Sequence, residues 1–186
     1  MAEKTGHSSH RLDLGTMDND AEERISAHAI TKLVDAGADV QAKDDRGDTA
    51  LHFAAGMGLS VNTKALLDAG ADLRVKNRAG YNALMIAALG GYAETVEVLI
   101  KAGSPLEERN VAGNTPLLTA SLIGHRDVVR ALLDAGADVQ ARNLKGQTAI
   151  SLAAEGHHDE ILQMLHEAEA EKSAVHPDGD RAAETK

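Results

Sequence analysis

Residues 113–139 read GNTPLLTASLIGHRDVVRALLDAGADV, and this stretch decides the fold. Thr115 can cap a helix through its hydroxyl, and Pro116 sits at the first helical position, where a missing N–H costs nothing. The spacing predicts a helix over 116–122, broken by Gly124. A second helix follows over 126–134, with Val128, Val129, Leu132 and Leu133 at helical periodicity. Gly136 ends it, because glycine adopts the left-handed conformation of a C-terminal cap at little cost. The next residues carry Asp138-Val139 and Asn143-Leu144-Lys145-Gly146, which read as a β-hairpin-like turn. The unit is helix, turn, helix, hairpin loop.

The same unit recurs in both directions along the chain. Gly47, Gly80, Gly113 and Gly146 lie 33 residues apart, as do Gly37, Gly70, Gly103 and Gly136. Asp-Ala-Gly-Ala-Asp occurs at 35–39, 68–72 and 134–138, with Lys101-Ala102-Gly103-Ser104-Pro105 as its variant. Leu33-Val34, Leu66-Leu67, Leu99-Ile100 and Leu132-Leu133 keep the same phase, and so do Ala54-Ala55, Ala87-Ala88, Ala120-Ser121 and Ala153-Ala154. One such unit cannot bury its apolar face alone, so neighbours must stack on it. The small residues let first helices approach closely, and the leucine pairs fill the layer behind them.

The strings Gly47-Asp48-Thr49-Ala50-Leu51-His52-Phe53-Ala54-Ala55, Gly113-Asn114-Thr115-Pro116-Leu117-Leu118-Thr119-Ala120 and Leu132-Leu133-Asp134-Ala135-Gly136-Ala137-Asp138-Val139 resemble the ankyrin-repeat family. The resemblance covers 25–166 and implies an all-α solenoid of helix-turn-helix units joined by β-hairpin-like loops. Only one unit keeps the proline (Pro116) and only one the histidine (His52). Met85, Leu118 and Ser151 stand in place of His52, and Asn82 in place of the threonine. Gly156 follows Gly124 by 32 residues rather than 33, so the fourth unit is expected to be one residue shorter.

The expected layout is a polar tail over 1–20, a repeat domain over 21–170 and a second tail over 171–186. Within the domain lie an N-terminal cap (21–44), three complete units (45–77, 78–110, 111–143) and a C-terminal unit (144–170). Asp20-Ala21-Glu22-Glu23 reads as a capping box opening a single cap helix over 21–36. The ends, 1–16 and 173–186, have the polar composition of disordered segments.

Composition narrows the function. The 186 residues carry a net charge of −10, no Cys and no Trp, with Phe53, Tyr81 and Tyr92 the only aromatics. Without Cys there are no disulfides, thiolate metal sites or cysteine nucleophiles. An acidic chain with so few aromatic side chains lacks the cations and stacking platforms that nucleic acid demands. Residues 1–24 and 167–186 each hold six acids and three bases, so the ends supply six of the ten negative charges and the body only −4. The start of the chain has no signal-peptide pattern, and no apolar run approaches the ~20 residues of a membrane span, so the expectation is a soluble cytoplasmic protein.

The resemblance implies a concave partner-binding surface built from hairpin tips and exposed first-helix positions. The matching tip residues are Asp45, Arg46 and Asp48; Arg78, Ala79 and Tyr81; Val111, Ala112 and Asn114; and Leu144, Lys145 and Gln147. The first-helix positions are Met57, Leu89, Leu122, Ile123 and Glu155. Leu89, Leu122 and Ile123, with Met57 and Tyr81, form either an apolar binding patch or part of the core. A basic ladder of Lys43, Lys76, Arg109 and Arg142 reads an acidic partner or, as the favoured reading, edges the hairpins with charge.

His157-His158-Asp159-Glu160 is the densest group of potential ligands, but adjacent histidines point apart and do not converge on a metal. His52 is expected to hydrogen-bond within the stack, His125 to serve the inter-helix turn, and Asp39, Asp72 and Asp138 to stabilise turns. No phosphate loop or nucleophile elbow is present. The expectation is a monomeric, non-enzymatic module without cofactor or metal that binds another protein as adaptor, inhibitor or regulator. The rivals are an enzyme or ligand-binding protein using the histidines, and a dedicated companion of one protein.

Overall fold

The structure, a computed structural model, describes residues 19–175, with side chains described for 27–172. The expected disordered ends fall mostly outside these residues. Among the described residues the chain forms nine α-helices and no strand. A lone helix, α1 (Asn19–Asp35), precedes four inner–outer pairs: α2 (Ala50–Gly56) with α3 (Ser60–Asp68), α4 (Ala83–Gly90) with α5 (Ala93–Lys101), α6 (Pro116–Ile123) with α7 (Arg126–Asp134), and α8 (Ala149–Glu155) with α9 (Asp159–Val175). Inner helices pack on inner helices (α2·α4·α6·α8) and outer on outer (α1·α3·α5·α7·α9).

Short helices need caps, because a seven-residue helix satisfies few of its own end groups. Each inner helix receives one. Asn82 Oδ1 accepts the Met85 N–H, Thr115 Oγ1 accepts that of Leu118, and Thr148 and Ser151 cap each other reciprocally. The outer helices α1, α3, α5 and α7 are each followed by a left-handed glycine, as at Gly136, after which the Ala137 N–H reaches back to Leu132 O.

The core runs along the stack. Leu51, Leu84 and Leu117 fill it from the inner helices, and Leu66, Leu99, Leu132 and Leu165 from the outer. Ala54, Ala55, Ala87, Ala88, Ala120 and Ala153 are buried where inner helices meet, while Ala154, on the last described inner helix, is exposed.

The fourth unit is not shortened. Gly58, Gly91 and Gly124 take positive φ in the inner–outer turn, and the next residue in that position is His157, also left-handed at φ 56°. Gly156 has ordinary helical geometry. The spacing of 33 therefore holds, with a histidine where glycine stood before.

The connecting loops contain no strand among the described residues. Each is closed by one side chain, at Asp44, Asn77, Asn110 and Asn143, again at intervals of 33. In every unit this residue's Oδ1 accepts two backbone N–H groups, from the second and fourth residues on. The tips are then bonded to one another: Arg78 N–H to Arg46 O at 3.0 Å, Val111 to Ala79 at 3.3 Å, Leu144 to Ala112 at 3.2 Å.

Candidate functional site

The stacked tips and inner helices form one face of the solenoid. Asp45, Arg46, Arg78, Val111, Leu144 and Lys145 are exposed along the tip row. Asp48, Tyr81, Asn114 and Gln147 are half-buried, one register position inward. Three of these four are tied into the row: Asp48 Oδ1 accepts Asn77 Nδ2–H at 2.7 Å, Asn114 Oδ1 accepts Asn143 Nδ2–H at 3.0 Å, and Gln147 donates to Glu155 on α8 at 2.8 Å.

On the inner helices, Met57 is 65% exposed, Leu89 42%, Leu122 39% and Ile123 45%. The register explains the arrangement. Leu89 and Leu122 occupy one position, held by Gly56 before them and Glu155 after; Met57 and Ile123 occupy the next. The residues that precede them, Ala54-Ala55, Ala87-Ala88 and Ala120-Ser121, are buried between the inner helices, and the large apolar side chains after them stand outward.

The structure brings Arg46, Asp48, Met57, Tyr81 and Leu89 together around a groove of about 340 Å³ between α2 and α4. Phe53, Gly56 and Ile86 complete its walls. The sequence reading missed Phe53, which lies inside the repeat motif yet is exposed. Its later counterparts at 33-residue steps are Ile86, Thr119 and Leu152, the last two buried, and the sequence carries no signal that sets Phe53 apart from them. Gly56 makes the notch: a Cβ there would come within 3.1 Å of Ile86.

His52 lies beneath the groove and is buried. Thr49 N–H donates to its Nδ1 at 3.1 Å, which leaves the ring proton on Nε2 to donate to Tyr81 O at 3.1 Å. Burial, the largest influence, lowers its pKa below the usual 6.5 and favours the neutral ring this arrangement needs. At the rim, the Asp44 carboxyl is held below its ordinary 3.8, first by the Asp48 N–H it accepts.

Three rungs of the basic ladder are turned toward the protein itself. Lys76 Nζ donates to Arg109 O at 3.0 Å and pairs with Glu108, Arg109 donates to Gly113 O at 3.2 Å and to Arg142 O, and Arg142 donates to Gly146 O at 2.9 Å. His125 and His158 serve the turns: their Nε2 atoms donate to Leu89 O at 3.0 Å and Leu122 O at 3.3 Å in the preceding unit. Asp39, Asp72 and Asp138 each accept the N–H two residues on, closing turns. Among the described residues no three His, Asp or Glu side chains are grouped so as to hold a metal ion, and no helix is long and apolar enough to cross a membrane.

A family model for ankyrin repeats (three copies) matches residues 21–110 and 102–176. No curated protein matches the chain. Ankyrin repeats generally mediate protein–protein interaction and are typically not enzymes. With its capped inner helices, alanine stripes and bonded hairpin row in register from end to end, the chain belongs to the ankyrin-repeat family.

Proposed function

We propose that this chain binds a folded protein through its concave face and acts as an adaptor, inhibitor or regulator of that partner. The observation that carries the reading is the row of exposed apolar side chains on successive inner helices, Met57, Leu89, Leu122 and Ile123, beside the groove floored by Phe53 and Ile86. Apolar side chains gathered on one face mark interaction surfaces more than solvated ones. Capped helices and bonded tips hold this surface before any partner arrives, so little ordering entropy is lost on binding. Tyr81 adds an aromatic at the groove wall, a residue type enriched among binding hot spots.

Affinity capture from the native host, read by mass spectrometry, tests the reading. The unmodified chain is expected to retain a partner that Leu89→Glu with Leu122→Glu releases, while the variant still melts cooperatively by circular dichroism. Retention by the folded double variant would sink the concave-face assignment. Unfolding of the variant would place the two leucines in the core instead.

A further inference from the structure

Two outer-helix positions form the contact between successive layers, and their chemistry changes along the chain. One holds Asn62, Thr95, Val128 and Ile161; the next holds Thr63, Val96, Val129 and Leu162. Ile161 is buried although no layer follows it among the described residues, so its position faces the preceding layer. Leu162 is only half-buried, where Val129 in the same position of the preceding layer is buried, so that position reaches forward. The α5–α7 contact is therefore Val96 against Val128, and the α7–α9 contact Val129 against Ile161. The α3–α5 contact is Thr63 against Thr95. Both threonines are fully buried, and neither hydroxyl has a hydrogen-bond partner. A buried hydroxyl without a partner opposes folding where a methyl would favour it. Ser104 and Ser121 also bury unpaired hydroxyls, and Asn62, in the position that faces α1, buries a side-chain oxygen without a partner.

The turn end of the same boundary is held by packing where the later ones have a hydrogen bond. His125 and His158 bond each later layer to a carbonyl of the one before. The residue in their position at the first boundary is Tyr92, whose ring lies against Gly58 and Gly90. What crosses this boundary firmly lies at the hairpin end: His52 to Tyr81, Asn77 to Asp48 and Arg78 to Arg46. On the far side of the boundary from the rest of the stack, Leu33 of α1 is 61% exposed, where Leu66, Leu99, Leu132 and Leu165 are 4% or less.

We infer that the layer formed by α1, α2 and α3 opens as one unit along the Thr63–Thr95 seam, hinged at the hairpin row, while α4 to α9 stay folded. Resting on the concave-face reading, this is a regulation of that site. The groove has one wall at α2 (Phe53, with Met57 just past the helix end) and the other on α4 (Ile86, Leu89), so it exists only while the seam is closed. A partner that fills it binds only the closed form, so its apparent affinity is set by the fraction of chains that are closed.

Native-state hydrogen exchange on the full chain, without any partner, tests the seam. Amides of α1, α2 and α3 are expected to share one level of protection, at least tenfold below that of α6 to α8. Thr63→Val with Thr95→Val preserves shape and copies the later boundaries, and it is expected to slow exchange in all three helices at least tenfold. Equal protection throughout would overturn the inference. So would a gradient rising steadily from α1 to α3, which is end fraying, or indifference to the two substitutions. None of these outcomes touches the capture experiment, and loss of the concave-face reading would leave the exchange result standing.

Discussion

At His157 the backbone takes the conformation that Gly58, Gly91 and Gly124 take in the earlier units. A side chain there sets Cβ against the following carbonyl, a strain of about 1–2 kcal/mol. Its ring is exposed, so little packing offsets it. His157→Gly is expected to stabilise the protein by about 0.5–1 kcal/mol, the relief of strain less the extra freedom glycine gives the unfolded chain. Urea denaturation reads this as a higher midpoint with unchanged slope, and an unchanged or lower midpoint would refute it. This residue also shows where sequence reading stops. Glycine marks the turn in three units, so Gly156 draws the eye and suggests a deletion. The left-handed position is a backbone fact, and histidine does not announce it.

At the scale of the element, the hairpin loops were legible as turns but not in their cause. Gly47 and its repeats signal a tight turn, whereas Asp44, Asn77, Asn110 and Asn143 look like ordinary loop polar residues. Their carbonyl oxygens each hold two N–H groups, which makes the side chain the centre of the turn. Asn110 is the most buried of the four described positions. Asn110→Ala would orphan the N–H groups of Ala112 and Asn114 and is expected to cost about 1–3 kcal/mol in chemical denaturation. Asp44→Asn keeps the acceptor and is expected to cost far less; equal losses at the two sites would contradict the side-chain account. Helices were read more closely. The second helix of the founding unit falls at Arg126–Asp134, and the first extends one residue past expectation to Ile123. Periodicity and capping chemistry are local, so they survive translation into structure. The pairing of α2 with α4 across the groove is not local, and Phe53 was missed for that reason.

Across the described residues the molecule is a stack in which each helix pair packs chiefly on its neighbours. Stability in such a stack is close to a sum of unit and interface contributions. Excising residues 111–143 would join Asn110 to Leu144 in the same register and set Val96 against Ile161 across the new boundary. The shortened chain is expected to keep its helicity per residue and to melt cooperatively at a lower temperature, both followed by circular dichroism. A chain that loses its fold instead would show that ends and middle depend on one another in ways the packing does not suggest.

The hairpin row carries a last consequence. In the second unit every N–H from Asn77 to Tyr81 is already bonded: to Tyr81 O, to Arg46 O, to Asn77 O and twice to Asn77 Oδ1. An exposed sheet edge invites another chain because it presents a run of unmet donors and acceptors. This row runs the length of the stack yet offers no such run of donors. Repeats of this kind can be added without creating a template for aggregation, and length in this architecture is gained without the hazard that lengthening a sheet brings.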